Sequence, residues 1–439
     1  MPALFRRYPA FRRLWAAGAV SLVGDWLSFV AVSALALTSG GGAMGLALVF
    51  AAHALPAALL SPFAGALVDG LDRRRVLVGA DLIASVATLA MAGAAVAGWL
   101  GVVQVLLLVR SATTALIPPG ETAALRRLVG DEDRVAANSL LAATWSIAYV
   151  AGMALGGAAA LLGPALALAI DAATFLAAAA IHATLPSMRV GDGVATDGTA
   201  TDGAAATEAA ATEAPATRGV LAILRATPAD TAAALRVAGA DRQLLRAVLG
   251  KMPLALAGGA AWVAINVVAA AALPFGAVAL SFGLLHAIRG AGTGIGPAIA
   301  ARLLRRGAGD AGLQIAARTT MLVAVAGLAV ARSPWTLSIV ALAWGMGTGA
   351  NWVLSHVALQ RHADDAVIGR LAAFDELLVT LSMVGSALLG AVIATAFDPA
   401  AAALAAVALG LAGLAAAWAI EARAGRTAAR AVEPAIAAG

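Results

Sequence analysis

The chain has 439 residues, of which 62% are apolar and only 12% are charged. Soluble domains average roughly half apolar and a quarter charged residues, so a soluble core cannot hide this surplus and lipid must be the solvent. The absence of cysteine excludes disulfides and thiolate metal sites. The 29 lysines and arginines outnumber the 24 aspartates and glutamates, but their placement, described below, indicates a membrane topology and not nucleic-acid binding.

Twelve apolar segments, each long enough to cross a bilayer of about 30 Å, follow one another along the chain. Six of them precede a polar low-complexity stretch and six follow it. Short turns rich in Gly, Ser and Pro join them on one side. The segments are 14–37, 44–69, 75–97, 102–125, 136–161, 165–185, 243–269, 275–301, 312–331, 335–359, 367–396 and 399–421. We predict an all-α membrane protein of twelve transmembrane helices in two pseudo-symmetric six-helix bundles.

The cationic residues gather on one side of this arrangement. They lie in the N-terminal stretch, in the turns after the second, fourth, eighth and tenth helices, in the tail, and in the central linker, with which we count Lys251. Apart from three arginines within helices, only Arg332 falls on the other side. Cytoplasmic loops collect Lys and Arg, so both termini are expected to be cytoplasmic in the plasma (inner) membrane.

The chain divides into four parts on this interpretation. Residues 1–185 form the first bundle, 186–240 a cytoplasmic linker, 241–422 the second bundle, and 423–439 a cytoplasmic tail. Residues 186–217 contain Thr-Asp-Gly and Ala-Thr-Glu repeats, too poor in apolar residues to build a core, so we expect a disordered tether. Residues 219–246 are basic and amphipathic, which is typical of a helix lying on the inner leaflet.

The turn after the second helix carries a motif, Gly65-Ala-Leu-Val-Asp69-Gly-Leu-Asp72-Arg73-Arg74-Arg75. A looser copy, Gly296 to Arg306, ends the eighth helix at a similar offset, which indicates two related halves. Twelve spans with this turn resemble the major facilitator superfamily (MFS), although Asp72 stands where its signature has a second glycine. That departure, with Ser21 to Trp26 in the first helix and Asp131 to Asn138 before the fifth, resembles the macrolide-efflux and enterobactin-exporter-like branch.

The resemblance implies a conformational latch made by Gly65, Asp69, Arg73 and Arg74. Independently of it, Asp69 would meet the start of the eleventh helix, whose N-terminus favours an anion. The alternative is that the arginines only fix topology. In the fifth helix Gly152, Gly156 and Gly157 match part of an exporter motif, while Met153 replaces its proline. These glycines equally suit close helix packing.

Asp25 in the first helix and Arg110 in the fourth are predicted at similar depth, near the bilayer midplane. Ionisable groups are costly there unless they are paired or line a wet cavity, which makes both functional candidates. In the superfamily these helices line the central cavity. We therefore predict Asp25 as a proton-titrating acid with Arg110 as its partner, the alternative being a purely structural ion pair.

Several other polar and aromatic residues fall inside predicted spans. Those assigned to a possible substrate cavity are Trp26, Asn351, Trp352, His356, Asp375 and Glu376. Further candidates are His286, Arg289 and Arg318. For a lone histidine or aspartate on such a helix, a packed hydrogen-bonding role is the commoner alternative, and His53, Asp81 and Asp171 are interpreted in that way.

The sequence contains no Gly-x-x-x-x-Gly-Lys-Ser/Thr loop, no metal-ligand spacing and no nucleophile–base set, so neither an enzyme, a metal nor a cofactor is predicted. We predict a secondary active transporter that acts as a monomer in the bilayer. It would export small amphipathic, drug- or siderophore-like molecules, as a multidrug antiporter exchanging them for protons. A facilitator or importer of the same fold is one alternative, and a transport-inactive membrane sensor or assembly partner is another.

Overall fold

The computed structural model describes residues 1–69, 71–188, 232–233, 235–239, 241–364 and 367–437. Helices account for nearly all of it, with single 3-10 turns at Asp131–Asp133 and Ala160–Leu162. The helices of the first half are α1 (Pro2–Arg7), α2 (Pro9–Thr38), α3 (Gly42–Asp69), α4 (Arg73–Val96), α5 (Leu100–Thr114), α6 (Ile117–Leu128), α7 (Arg134–Ala159) and α8 (Pro164–Ala183). Those of the second half are α9 (Arg242–Leu249), α10 (Met252–Ala272), α11 (Val278–Arg305), α12 (Asp310–Gly327), α13 (Pro334–His362), α14 (Ile368–Ala396) and α15 (Pro399–Ala437).

Three helices differ from their predicted spans. The fourth span is two helices, α5 and α6, because Pro118 and Pro119 start a new helix with their fixed φ and missing N–H groups. The seventh begins as α9 and restarts as α10 just before Pro253. The last helix, α15, continues to Ala437, through the stretch predicted as a tail.

Eleven helical segments of the described chain are long and apolar enough to cross a membrane. The remaining predicted span, α12, has 18 residues and lies in the expected place, but it starts at Asp310 and carries Gln314 and Arg318. Arg318 points into a polar cluster described below, so tertiary packing, not lipid, accommodates its charge.

The two halves repeat one packing pattern. In the first half α2 packs on α7 and on α8, and α3 packs on α5. In the second, the corresponding helix α10 packs on α14 and on α15, and α11 packs on α13. Between the halves, α7 runs along α11 and α3 along α14. The protein is therefore two matched bundles joined along two helix pairs.

The two ends of the molecule differ in charge. We call the end that contains Pro9, Asp72–Arg75 and Arg302–Arg306 the basic face, and the end that contains the turns at Ser39–Gly41, Gly163 and Ser333 the short-loop face. The turns there are tight, and Gly40 and Gly163 have φ values of +83° and +109°, which residues with a side chain rarely adopt.

The apolar core is shared between the bundles toward the short-loop face and divided toward the basic face. One large cluster joins buried residues of both halves, including Phe29 and Leu46 with Trp262 and Phe282. Near the basic face, one cluster around Phe11 and Leu77 belongs to the first bundle and another around Leu244 and Leu371 to the second. Among the described residues, the apolar cores of the bundles are therefore continuous at one end and distinct at the other.

Asp72 organises the turn between α3 and α4. Its carboxylate accepts the N–H of Arg74 at 3.1 Å, which caps the N-terminus of α4. It also accepts the hydroxyl of Ser187 and the N–H of Met188, both at 3.1 Å. Arg73 Nη1 donates to the Met188 carbonyl at 3.0 Å. The residue that departs from the family signature thus anchors the chain after α8.

Most of the linker prediction lies outside the described residues. Residues 189–231, which include most of the expected tether (186–217) and the start of the amphipathic segment, are among these. The end of that segment is described, and it differs from the expectation of a helix on the leaflet. Leu244 and Val248 of α9 are buried against the second bundle, in the cluster that contains Leu359 and Leu371.

Candidate functional site: a central cavity beside buried charges

A guanidinium and two carboxylates meet in the middle of the first bundle. Arg110 on α5 is 1% exposed, and its Nη2 lies 2.6 Å from Asp25 Oδ1 on α2. The two groups form an ion pair, but their alignment does not make a hydrogen bond. Arg110 Nη1 donates to Asp171 Oδ2 on α8 and to Ser28 Oγ, each at 2.8 Å. The side chain of Asp171 is fully buried, whereas that of Asp25 is 19% exposed. The buried triad, as we call Asp25, Arg110 and Asp171, carries one more carboxylate than cation.

Sequence reasoning brought Asp25 and Arg110 to the same depth, and the structure places them in contact. It did not select Asp171, which was interpreted as a packed hydrogen-bonding residue. Its position inside a predicted span could have identified Asp171 as a candidate, because it is the lone acid of the sixth predicted helix. The same applies to Asp81 on α4, which lies 2.7 Å from His182 Nδ1 on α8 in a separate, fully buried pair.

His53 on α3 lies between the triad and the space at the centre of the molecule. Its ring is 4.7 Å from that of Phe29 and 5.4 Å from that of Trp26, centroid to centroid. It lies close enough to Asp25 and Arg110 to interact with both electrostatically. Its Nδ1 is buried without a hydrogen-bond partner among the described residues. His53 also lines the cavity described next.

A cavity of about 550 Å³ lies between the two bundles. Both bundles contribute to its wall, which is mostly aromatic and apolar, with a few polar side chains such as Thr293, Thr348 and Asn351. Its aromatic lining consists of Trp26, Phe29, Phe50, Trp145, Tyr149, Trp262, Trp344 and Trp352. Volume and lining are those of a site for a drug-sized molecule, for which cavities of roughly 300–1,000 Å³ are typical.

Aromatic rings from both bundles close the cavity toward the short-loop face. The Trp262 ring lies 5.8 Å from Phe29 and 4.9 Å from Phe50, and the Phe282 ring lies 6.4 Å from Phe29. Within the second bundle, Trp262 and Phe282 meet edge to face at 5.9 Å. We call these four rings the aromatic plug. On the other side of the cavity, toward the basic face, the described apolar residues form a separate cluster in each bundle.

A second ion pair borders the cavity near that face. Lys251, which follows the linker in the sequence and was grouped with its cations, lies in the cavity wall at the start of α10. Its Nζ is 2.5 Å from Asp375 Oδ2 on α14 and 4.6 Å from the ring centroid of Trp352. Lys251 was not predicted as a cavity residue, because a cation next to a cytoplasmic linker is expected from topology alone.

A polar cluster around the Gly250 carbonyl holds three helices together. Arg318 Nη2 donates to that carbonyl at 3.0 Å, and Asn351 Nδ2 donates to it at 3.1 Å. Arg318 Nε donates to Asn351 Oδ1 at 3.0 Å. The carbonyl is one that the break between α9 and α10 leaves without a helical partner.

Of the residues assigned to a possible substrate cavity, three line it and three do not. Trp26, Asn351 and Trp352 belong to its wall. Asp375 stands behind Lys251 as its counter-ion, His356 contacts Gln360 one turn further along α13, and Glu376 lies outside the lining. Arg289, a further candidate, does line the cavity.

The glycines of the fifth predicted helix sit at close helix contacts. A Cβ at Gly152 or at Gly156 would meet backbone atoms of α2 at Val23 and Leu27 within 2.7 Å. A Cβ at Gly157 would instead lie 3.0 Å from the Ala279 carbonyl of α11. Two of the three therefore serve packing within the first bundle, and Gly157 serves packing between the bundles.

The proposed latch is described only in part. Arg73 is buried and binds the Met188 carbonyl, while Arg74 follows the cap at Asp72. The helix α3 ends at Asp69, but the surroundings of Gly65 and Asp69 lie outside the described residues. Their role as a latch stays a prediction.

Comparison with known proteins finds sequence likenesses that cover part of this chain. Residues 3–198 match the model of a family described as "Transmembrane secretion effector". The chain is 36% identical over 157 residues to an uncharacterized MFS-type transporter of Mycobacterium tuberculosis, an alignment that covers 34% of each chain. It is 31% identical over 144 residues to macrolide efflux protein A of Streptococcus pyogenes, covering 32% of this chain and 35% of the relative. The chain thus matches about a third of the length of these relatives.

The fold likeness extends much further than the sequence likeness. The crystal structure of nucleoside transporter NupG superposes with a TM-score of 0.66, at 13% identity, over 94% of this chain and 98% of that one. At 13% identity, this likeness shows a shared fold and nothing about the substrate. The all-α membrane fold predicted from the sequence is confirmed.

Proposed function

We propose that this chain, which has the major facilitator fold and whose first half resembles the macrolide-efflux-like branch of that superfamily, exports small amphipathic molecules across the plasma membrane in exchange for protons. The observation that carries the proposal is the juxtaposition of an aromatic cavity between the bundles with the buried triad in its wall region.

The two bundles supply the means for alternating access. They adhere through a shared core and the aromatic plug near the short-loop face, and they have separate cores near the basic face. A rocking motion that separated the plug and joined the basic ends would expose the same cavity to the other side. With the basic face cytoplasmic, as its charge favours, the described conformation is the one that loads from the cytoplasm.

The charge balance of the triad supports coupling to protons. Two carboxylates and one guanidinium leave a net charge of −1 inside the membrane, where unpaired charge is costly. Binding one proton neutralises the triad, so its occupancy by a proton changes the electrostatics of the bundle. Asp25, the more exposed of the two acids, neighbours His53 in the cavity wall. We propose this route for proton exchange between cavity water and the triad.

The test uses purified protein in liposomes with an imposed pH gradient and labelled erythromycin, ethidium and 1-naphthoate as probes. We expect accumulation of at least one probe against its gradient. Asp25→Asn and Asp171→Asn should abolish this accumulation but keep exchange of labelled for unlabelled probe, since each leaves Arg110 with one carboxylate. Arg332→Gln, on the short-loop face, is the control with unchanged transport.

Each result decides between the proposal and its alternatives. Gradient-driven accumulation that survives in both aspartate variants would refute proton coupling through the triad. Equilibration without accumulation in the wild type would identify a facilitator, and movement of no probe at all would favour the sensor or assembly role. Arg110→Gln is a poor probe of coupling, because it strands two carboxylates and should destabilise the protein by about 3–5 kcal/mol.

A further inference from the structure

The charged groups of the cavity wall are cations. Of the described residues that line it, Lys251 and Arg289 are the charged ones, and none is a carboxylate. The charge of Lys251 is matched by Asp375, just behind the wall. Arg289 has no carboxylate within ion-pair distance among the described residues. The wall therefore presents one positive charge without a counter-ion.

Arg289 is held in place by a chain of buried polar groups. Its Nε lies 3.3 Å from His286 Nδ1, and His286 Nε2 lies 3.1 Å from Asn266 Oδ1. A guanidinium only donates, so Nδ1 must accept, and the ring proton is on Nε2 and is donated to Asn266. Asn266 Nδ2 in turn donates to the Trp262 carbonyl at 2.6 Å. This network fixes the arginine with a neutral histidine and adds no counter-charge.

Rings from both bundles flank the guanidinium. Its carbon lies 5.5 Å from the ring centroid of Tyr149 on α7 and 5.1 Å from that of Trp344 on α13. Its Nη2 donates to the Tyr149 hydroxyl. These contacts orient the planar group and favour its charge without neutralising it. The arginine belongs to the second bundle and Tyr149 to the first, so a ligand held here would lie at the seam between the moving halves.

We propose that Arg289 binds the anionic group of the transported molecule, and that the substrates are amphipathic organic anions with a carboxylate or sulfonate on an apolar, ring-containing body. The rigid fork of an arginine matches the two oxygens of such a group. The surrounding tryptophans, with Met321 and Met383, accommodate the apolar body. This proposal rests on the proposed transport function and names its substrate class.

Binding to the full chain in detergent micelles tests the proposal without any gradient. Three probes share one naphthalene body: 1-naphthoate, the neutral 1-naphthamide and the cationic 1-naphthylmethylamine. Quenching of tryptophan fluorescence, corrected with empty micelles, reports binding, because tryptophans line the cavity. We expect the wild type to bind naphthoate at least tenfold more tightly than the other two probes.

Variants locate this preference. Arg289→Gln should reduce naphthoate affinity at least tenfold and leave naphthamide affinity within twofold, whereas Arg289→Lys should keep part of the preference. The matched control is the double variant Arg361→Gln/Asp310→Asn, which removes an ion pair that does not line the cavity and should keep the preference. Elution volume and melting temperature of each variant establish that it is folded.

Equal binding of naphthoate and naphthamide to the wild type, a preference for the amine, or a preference retained in folded Arg289→Gln would each overturn the proposal. Its failure is distinct from failure of the proposed function. Proton-driven accumulation of erythromycin or ethidium without an anion preference would keep the transporter and refute the substrate class. An Arg289-dependent preference with no transport in liposomes would keep the binding site and refute the export mechanism.

Discussion

At the scale of single residues, the unusual positions of this protein are buried charges with specific partners. Asp25 and Asp171 each contact the oppositely charged Arg110 within the first bundle, and Lys251 pairs with Asp375 beside the cavity. Arg289 is the exception, stabilised by rings and a neutral histidine. Since an ionic partner is the rule for a charge inside a membrane, a cation without one is where an anionic ligand would contribute the most.

Asp72 allows a prediction about stability and pH. Its partial burial raises the carboxyl pKa, but the N–H of Met188, the Ser187 hydroxyl, the N–H of Arg74 and the charge of Arg75 outweigh this, and the pKa of Asp72 lies below its ordinary value. The charged form therefore stabilises the folded protein above the ordinary carboxyl pKa of about 3.9. That stabilisation is lost as the pH falls through the lower, folded-state pKa.

We expect Asp72→Ala to lower the free energy of unfolding by about 1–2 kcal/mol at neutral pH, because α4 loses its cap and Ser187 and Met188 lose their acceptor. Asp72→Asn, which still caps, should lose less. The melting temperature of the detergent-solubilised protein, measured from pH 7 to pH 3, checks this. The gap between wild type and Asp72→Asn should narrow below pH 4; a constant gap would contradict the charge-dependent part.

Residue identities alone predicted some of these contacts and missed others. Counting residues from the helix ends brought Asp25 and Arg110 together, because depth in a bilayer follows from chain position. Asp171 was missed since a helix built largely of alanine gives no sign of which side faces a neighbour. The Asn266–His286–Arg289 chain was missed for the same reason: it joins two helices whose relative rotation is set by packing and not by hydropathy.

At the scale of helices, lipid thickness made most boundaries predictable to within a few residues. The breaks inside spans were not found, although Pro118 and Pro119 carried a local signal for one of them. The two prolines were included in one span, because a membrane-crossing segment was expected to be continuous and apolar. The contact between α7 and α11 could not be anticipated at all, because glycine spacing indicates close approach without naming the partner.

Gly283 and Gly294 on α11 provide a matched test of that contact. A Cβ at Gly283 would come within 2.8 Å of Gly157 Cα on α7, whereas one at Gly294 meets nothing within 4 Å. We expect Gly283→Ala to force the bundles apart near the short-loop face and to lower the melting temperature. Gly294→Ala should be neutral or stabilising by up to about 1 kcal/mol, since alanine favours helix.

Distances between spin labels at Ser39→Cys and Phe397→Cys, on the short-loop ends of the two bundles, report the separation. Their distribution should shift to longer values in Gly283→Ala and stay unchanged in Gly294→Ala. The chain has no cysteine of its own, so the labels are unambiguous. An unchanged distribution and melting temperature in Gly283→Ala would show that α7 and α11 are not packed as described.

At the scale of the whole molecule, the asymmetry between the two faces predicts a topology. Single cysteines at Asp131 and Arg306, on the basic face, should react with an impermeant maleimide only after cells are opened. A cysteine at Ser39 should react in intact cells, because its turn is expected outside. The labelling pattern measured by mass shift checks this. The reverse pattern would invert the direction in which the cavity opens and with it the proposed export.

The aromatic plug also bears on the rate of the proposed transport cycle. Phe29 and Phe50 contact Trp262 and Phe282 through three ring pairs that cross between the bundles. Each such pair is worth about 0.5–1.5 kcal/mol beyond the area it buries. In the proposed alternating-access cycle these ring contacts would break in every turnover, and they stabilise the conformation described here. On that proposal, smaller side chains at these four positions should speed turnover and allow more substrate to leak back, so the four rings would set a balance between rate and tightness.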